Sequence, residues 1–479
     1  MLPAGAARRV RGEGAANGAA LVAATRGAAT EERGLPARAL PVGAVQPTPP
    51  LNMDNPQCDR YRPLILIEFV TVELMGVPVS WRNTRGPVRA AILSAVVLLT
   101  AAPAAAAAPP AATPASGDVT AAVTARLLGQ SAVTADPFLR TAGADDTRVT
   151  VTRRDGRNWA FGTAVVVAPQ VEDAYPKGSV FVAHRDRSGW QVAFDGEAAF
   201  AELAEDAPAT VVSAREKEVF AAPAPAPMYA GGDMRTGMRL PYGVGQTWSY
   251  TGGPHGWGGS ESPWSSIDLA GGDQRVLAAR GGTAYTMCRG WIRVIHDRGY
   301  STDYYHLWNS INVNGAGVGE GAYLGDTGTD VTCGGSASGR HVHFGLRQNS
   351  AYVPIHDHAL GKWVLMRGSS TYQGYALHGS ARVNVGGGLY NYGVLGFNQA
   401  IVDANGGGAV NKRTGPGTGY AVAGSVGDGA TVTVSCSANG TSHTGRWGTS
   451  ALWNRLSDGT WVSDAFVWSG LNGPINGWC

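Results

Sequence analysis

Along most of this chain, apolar and polar residues fall into short segments of strand length, and helical periodicity is confined to a few places. Residues 118–220 include one segment that alternates with a period of two, GWQVAFDG, and two apolar runs, NWAFGTAVVVA and GSVFVAHR. The same region holds two stretches of helical character, VTAAVTARLL and EAAFAELAED. We therefore predict a small α+β unit here.

The downstream part of the chain is predicted to consist almost entirely of strands. From about Met238 to Tyr392, glycines bound many short apolar segments. The region of about 405–479 combines short strands, Gly/Pro turns and five tryptophans, which favours a small barrel. The composition agrees, because the chain has 68 glycines and only 15% charged residues. The predicted fold class is mainly β.

Residues 75–108 have the sequence of a secretory signal peptide. After Met75 come three arginines, then an apolar run from Ala90 to Ala102 that is too short for a membrane span, then an alanine-rich exit. Because a signal peptide begins a protein, residues 1–74 are expected to be a misassigned upstream extension; a long natural leader is the alternative. We expect a secreted protein, extracellular or at the cell wall, without a stable membrane anchor.

Residues 109–229 are predicted to be a propeptide and its linker. The α+β unit contains no cysteine and ends in VFAAPAPAPMYAGG, a composition typical of semi-rigid, protease-accessible linkers. A plain adhesion or spacer domain is the alternative. Of the five cysteines, Cys58 falls in the upstream extension, and the other four are compatible with two disulfides in an oxidising compartment.

The charge of the chain argues against nucleic-acid and membrane-surface partners. Its formal net charge of +2 at pH 7 is too small for a strong attraction to polyanions. The sequence contains no nucleotide-binding loop, helical repeat or coiled-coil pattern. Nothing in it indicates an oligomer, so a monomer is the default expectation.

Two histidines one residue apart, His341 and His343, are the first candidates for chemistry. If HVHFGL is a strand, both imidazoles point to one face, while Val342 and Phe344 point to the other. An H-x-H pair is a weak signal by itself, because two polar residues on a solvated face give the same pattern. Its companions must be sought elsewhere in the chain.

Three further residues have positions that suit a zinc hydrolase. Catalytic zinc typically has three protein ligands and an open fourth position. His255 lies in the glycine-rich GGPHGWGG, Asp268 follows thirteen residues later in the apolar SIDLA, and His306 lies in the aromatic YYHLW. An aspartate in an apolar setting is unfavourable unless it is paired or binds a metal.

Taken together, H-x12-D, YYHLW and HVHFG resemble the LytM/lysostaphin class of zinc metalloendopeptidases, and the long His–Asp spacing is most similar to its beta-lytic protease and staphylolysin branch. The resemblance covers roughly residues 238–392, within a predicted domain of 230–394, and implies an antiparallel-sheet core. It implies that one zinc ion is bound by three residues and that two histidines are catalytic: His255, Asp268 and His343 as ligands, His306 and His341 as catalytic groups. It also implies a Cys288–Cys333 disulfide beside the active site.

The same resemblance implies a substrate, namely the peptide cross-links of bacterial peptidoglycan, often at glycyl bonds. Glycine loops around a site leave room for a backbone and little room for side chains, which also favours glycine-containing peptides. Residues 405–479 resemble a bacterial SH3-like domain in VNKRTGPGTGYAVAGSVGDGATVTV. Such a domain would tether the enzyme to cell-wall peptides, with Cys436 and Cys479 joining the end of the chain to the barrel.

Two other functions remain open at this point: a non-catalytic wall-binding protein with a structural zinc site, and a general extracellular protease for glycine-rich proteins. Two extra histidines argue against a purely structural site. Other histidines compete for a role, namely His296 in RVIHDRG and the pair His356 and His358 in PIHDHAL. We expect His296 to face core or solvent and the pair to lie on a rim loop. No recognisable context surrounds the remaining three: His184, His378 and His443. We expect Tyr304 and Tyr305 to be core or wall residues.

Overall fold

Strands form most of the regular structure in the computed structural model, which describes residues 118–134, 136–221 and 232–479. The upstream extension, the signal peptide, Cys58 and most of the predicted linker lie outside the described residues. The described residues belong to one compact unit, Pro103–Cys479. None of the helices in this part of the chain is long and apolar enough to span a bilayer.

The first region, residues 118–221, has the mixture of helices and strands that the sequence predicts. Asp118 caps the first helix by accepting a hydrogen bond from the Thr120 amide, and Asp136 caps the second, which has Pro137 at its first turn. Four strands form an antiparallel meander in the order β1-β2-β3-β4. The elements are α1 Val119–Ser131, α2 Pro137–Thr141, β1 Thr147–Asp155, β2 Trp159–Val166, β3 Lys177–Asp186, β4 Gly189–Phe194, α3 Ala198–Asp206 and α4 Ala214–Ala221. We call this region the N-terminal unit.

An eleven-stranded antiparallel sheet and a smaller four-stranded sheet make up the middle of the chain. Their strands are β5 Thr247–His255, β6 Ser266–Ala270, β7 Arg275–Leu277, β8 Gly282–Cys288, β9 Trp291–Ile295, β10 Tyr300–Trp308, β11 Asn314–Val318, β12 Tyr323–Asp330, β13 Val342–Gln348, β14 Ala351–Tyr352, β15 Ala359–Leu360, β16 Trp363–Arg367, β17 Gly374–His378, β18 Ala381–Asn384 and β19 Gly388–Tyr390. The large sheet runs β11-β8-β9-β10-β13-β6-β5-β19, with β12, β7 and β14 attached at its side. The small sheet is β15-β16-β17-β18.

The two faces of the large sheet have different surroundings because side chains alternate along each strand. On one face, Val342, Phe344 and Leu346 of β13 enter a core in which they are completely buried. On the opposite face, Tyr305 and Trp291 pack with apolar residues of the N-terminal unit. His343 of β13 lies on this second face, so the N-terminal unit covers part of the face that carries the candidate site.

The C-terminal region forms a seven-stranded antiparallel sheet with its own apolar core. Its first strand begins at Gln399, a few residues before the predicted barrel region. The strand order is β22-β21-β25-β24-β23-β20-β26. The strands are β20 Gln399–Val402, β21 Ala409–Arg413, β22 Val422–Gly427, β23 Thr431–Gly445, β24 Gly448–Leu456, β25 Trp461–Ser463 and β26 Val467–Trp468. A disulfide joins Cys436 to Cys479 and fixes the end of the chain, and a second one joins Cys288 to Cys333 in the middle region.

Candidate metal centre

Four adjacent strands of the large sheet, β10, β13, β6 and β5, bring the predicted site residues together. His343 lies directly opposite Asp268 on one side and opposite Tyr305 on the other. His255 is the last residue of β5, paired with Ser266. Residues that are far apart in sequence thus meet because antiparallel pairing places them side by side.

The three predicted ligands converge on one point. The Nδ1 atom of His343 is 2.9 Å from Oδ1 of Asp268 and 3.2 Å from Nε2 of His255. Nε2 of His255 is 3.6 Å from the same carboxylate oxygen. All three donor atoms lie within 4.8 Å of one another, and no second such group of three occurs in residues 118–134, 136–221 and 232–479.

The hydrogen bonds around His255 prepare it to act as a ligand. Its Nδ1 donates to the backbone oxygen of Gly253 over 2.6 Å, so Nε2 carries a lone pair toward the cluster. Burial lowers the pKa of His255 to about 4, because the charged imidazolium would lose its hydration. His255 is therefore neutral at pH 7, the form in which an imidazole binds metal.

The cluster has the properties expected of a cation site. Burial alone would raise the pKa of the Asp268 carboxyl, but the surrounding histidines outweigh that effect and hold the pKa well below its usual range. An ionised oxygen and two ring nitrogens in contact concentrate negative potential, which a bound cation would neutralise. Two imidazoles and one carboxylate are a common donor set for catalytic zinc. The residues present therefore fit a single zinc ion.

His306 and His341 lie beside this cluster, and each uses Nδ1 for a backbone hydrogen bond; Nε2 of His341 lies 3.7 Å from Oδ1 of Asp268. Nδ1 of His306 donates to the backbone oxygen of Asp330 over 3.0 Å, and Nδ1 of His341 donates to that of Gly339 over 2.7 Å. In the neutral form of each ring the remaining Nε2 is then an acceptor. The ring centres are 4.8 Å apart, and burial lowers the pKa of His306 to about 3, so it is neutral at pH 7.

The backbone at His306 departs from a regular strand. Strict alternation would place its ring on the core face with Tyr304, because Tyr305 is on the other face. Instead His306 has a φ of +66°, and the pairing register shifts between His306 and Trp308. A left-handed residue at a bulge redirects the side chain, here into the site.

The five residues line one cavity of about 360 Å³ together with aromatic side chains. Tyr305 is a wall residue whose hydroxyl donates to the backbone oxygen of Gly334, whereas Tyr304 lies in the core on the opposite face. Tyr372, on the β16–β17 connection, stacks on His255 with ring centres 4.0 Å apart. Sequence reasoning missed Tyr372, because its surroundings, GSSTYQG, contain no recognisable motif and only the fold carries it to the cavity.

The competing histidines lie elsewhere. His296 is completely buried: its Nδ1 donates to the Gly281 oxygen over 3.0 Å, and its Nε2 lies 2.8 Å from the Thr302 hydroxyl. His356 and His358 do not join the metal-type group. None of the other three lines the cavity: His184 stacks on Trp159, His378 on Tyr392, and His443 packs against Trp453.

Comparisons with known proteins were made by family model, sequence and structure. No family model matches the chain. A stretch of 146 residues is 34% identical to Protease LasA of Pseudomonas aeruginosa, covering 28% of this chain and 35% of LasA. The beta-lytic metalloendopeptidase of Lysobacter enzymogenes is 27% identical over 146 residues, which cover 28% of this chain and 82% of that protein.

Among solved structures, the deep-sea M23 metalloprotease pseudoalterin is 33% identical to this chain, over 97% of pseudoalterin and 32% of this chain, with a TM-score of 0.30. This sequence identity extends over nearly the whole relative. The chain belongs to the LytM/M23 family of metallopeptidases. Membership in LytM/M23 agrees with the resemblance found in the sequence motifs. The match still spans only about a third of the length of LasA.

Proposed function

We propose that this protein is a secreted zinc metalloendopeptidase that hydrolyses the peptide cross-links of bacterial peptidoglycan, at glycyl bonds. The observation that carries the proposal is the convergence of three metal-type donors, from His255, Asp268 and His343, beside two further imidazoles in one cavity. The names of the relatives, a protease and a metalloendopeptidase, support the reaction class.

In this proposal His255, Asp268 and His343 hold zinc, which supplies a Lewis acid for the scissile carbonyl and the attacking water. His306 and His341 both line the cavity, and the neutral form of each ring has an Nε2 lone pair, so either can accept the proton of the water and return it to the leaving amine. As an imidazolium, the ring can also donate to the developing oxyanion. A structural metal site would need neither of these histidines.

Glycines in the cavity walls support a substrate with small side chains. Gly258, Gly259 and Gly335 all line the cavity, and the backbone there offers main-chain groups rather than side chains. Cross-link peptides rich in glycine fit such a cleft. The C-terminal region is proposed to be an SH3-like wall-binding domain, which would raise the local concentration of enzyme at an insoluble substrate. The N-terminal unit, with the linker that follows it, is proposed to be a propeptide.

The test is the clearing of a purified peptidoglycan suspension by the chain that begins at Tyr229. Turbidity is followed without treatment, after chelation, and after zinc is restored, with an elastin-like polymer as the second substrate. His341→Ala is the catalytic variant and His356→Ala the matched control, since His356 lies outside the cavity.

Clearing that needs zinc, persists in His356→Ala and is absent in His341→Ala supports the proposal. If the protein binds the wall without clearing it, it is a binding protein with a structural site. If the elastin-like polymer is cut and the wall is not, it is a general protease. Product analysis then names the bond.

A further inference from the structure

The ten-residue connection between β2 and β3, Val167–Pro176, lies in the cavity that holds the metal-type cluster. We call it the cleft loop. Glu172, Asp173 and Tyr175 of the cleft loop line the same cavity as His255 and His306. A segment of the N-terminal unit therefore reaches the place where a substrate peptide would have to lie.

Main-chain pairing holds the start of the cleft loop against one wall. The Ala168 amide donates to the Cys333 oxygen, and the Gly335 amide donates to the Pro169 oxygen, both over 3.0 Å. The Gln170 side-chain amide adds a bond of 3.0 Å to the Val331 oxygen. Residues Val331–Gly335 turn here, since the Gly334 amide donates to the Val331 oxygen over 2.9 Å. The Cys333 oxygen and the Gly335 amide are the main-chain groups that this edge of the wall offers to a segment lying in the cleft.

The second half of the cleft loop crosses to the opposite wall. The Trp257 indole donates to the Pro176 oxygen over 3.1 Å, and the Ser260 amide donates to the Asp173 carboxylate over 3.0 Å. The loop thus bridges both walls of the cavity, the β5–β6 connection and the β12–β13 connection.

The packing is too close for side chains on the wall. A Cβ added to Gly258 would lie 1.7 Å from the Tyr175 ring, and one added to Gly334 would lie 2.3 Å from the Ala168 oxygen. Gly334 also has a φ of +108°, which side chains rarely adopt. The two glycines therefore leave room for the Tyr175 ring on one wall and for the Ala168 main chain on the other.

The N-terminal unit is anchored beside the cleft by a buried interface. Phe161 and Val165 of β2 pack in one apolar cluster with Tyr285 and Trp291 of the large sheet. The Tyr285 hydroxyl donates to the buried Glu216 carboxylate over 2.7 Å. Because this interface is buried, it keeps the cleft loop at a high effective concentration over the cavity.

We propose that the cleft loop is an intramolecular competitor of the substrate: it occupies the main-chain edge Val331–Gly335 that the substrate peptide uses, so the intact chain is inactive. This proposal rests on the proposed function for its substrate, and it assigns Val331–Gly335 as the edge along which that substrate binds. Removal of the loop, with the rest of the N-terminal unit in place, should therefore open the cleft.

The register of the sheet allows a precise variant. Val166 pairs with Lys177, so residues 167–176 can be replaced by Asn-Gly, a two-residue connection suited to a hairpin. The matched control is made at the other end of the sheet, where Asp186 pairs with Gly189 and the exposed pair Arg187–Ser188 is replaced by Asn-Gly. A second variant, Asp173→Ala with Tyr175→Ala, removes side-chain contacts and keeps the loop length.

Two readouts separate this proposal from the proposed function. Hydrogen–deuterium exchange over residues 331–336 reports the Gly335 amide without any reaction, and peptidoglycan clearing reports activity. All chains keep the N-terminal unit and are loaded with zinc, and circular dichroism checks folding. If the loop covers the cleft in 99 of 100 molecules, clearing rises about 100-fold in the loop-replaced chain, and the control stays at the level of the intact chain.

Faster exchange with greater clearing supports the proposal. Unchanged exchange, or clearing by the intact chain at the rate of the loop-replaced chain, overturns it. Faster exchange with no clearing by any chain, including one that starts at Tyr229, shows that the loop occupies the edge but that the proposed peptidase function is wrong. If the loop-replaced chain is unfolded, the double variant decides by clearing alone, because it leaves the main-chain bonds to Cys333 and Gly335 in place. Greater clearing than by the intact chain then supports the proposal, and equal clearing overturns it.

Discussion

His296 should make the stability of the folded protein sensitive to mild acid, and one substitution can isolate its contribution. The imidazole is completely buried, donates from Nδ1 to the Gly281 oxygen and meets the Thr302 hydroxyl at Nε2, so the native state contains its neutral form. Burial lowers the pKa of His296 from 6.5 to about 4. The unfolded chain therefore binds a proton at a higher pH than the folded chain does.

The direction and size of the effect follow from this difference. Above pH 6.5 neither state is protonated at His296, and the full stability is present. As the pH falls from 6.5 toward about 4, only the unfolded state takes up the proton, so the free energy of unfolding decreases. At about pH 4.5 the expected loss from this one group is about 2.5 kcal/mol, at 1.36 kcal/mol for each pKa unit.

The assay is denaturant unfolding followed by tryptophan fluorescence at about pH 7.5 and about pH 4.5. His296→Gln keeps an amide able to donate and accept but does not titrate, so its stability should fall by about 2.5 kcal/mol less than that of the wild type. His184→Gln, at a half-buried imidazole of the N-terminal unit, is the control and should follow the wild type. Equal acid losses in wild type and His296→Gln would refute the reasoning.

Three further predictions concern the metal, the core and the C-terminal disulfide. Asp268→Asn should weaken zinc binding by more than the 10- to 100-fold that is usual for outer-shell partners, as measured by competition with a chelator. The control variant, Asp273→Asn at an exposed carboxylate, should bind zinc as the wild type does. If Asp268→Asn binds zinc as tightly as the wild type, Asp268 is not a ligand. Phe344→Ala removes a completely buried ring from the main core and should cost about 3–5 kcal/mol in denaturant unfolding, and a loss below about 1 kcal/mol would contradict its place there. Opening the Cys436–Cys479 disulfide, which spans 43 residues, should destabilise the C-terminal region by about 4 kcal/mol; an unchanged melting temperature in the double serine variant would contradict this.

The sequence alone was sufficient for the local features of this protein. The strand around His343 follows from the alternation of apolar and other residues, since Val342 and Phe344 are apolar and the positions between and beside them are not. The structure places Val342 and Phe344 in the core. Helices α1 and α3 and the strand GWQVAFDG also lie where the sequence predicts them, whereas α2 and α4 were not predicted. Such features depend on neighbours a few residues away, which is why a single sequence reveals them. The residue pattern alone yielded candidate metal ligands, and the family resemblance indicated which three of them bind the metal together.

Only the tertiary structure decided how these elements meet. The direction of the His306 ring depends on the left-handed backbone of this residue at a register shift. Strand alternation alone would have assigned the ring to the wrong face of the sheet. Tyr372 reaches the cavity through the packing of a separate small sheet, and the cleft loop reaches it from the N-terminal unit. These contacts join residues far apart in the chain, and their geometry depends on register and on which faces are buried together. Local pattern carries no information about either.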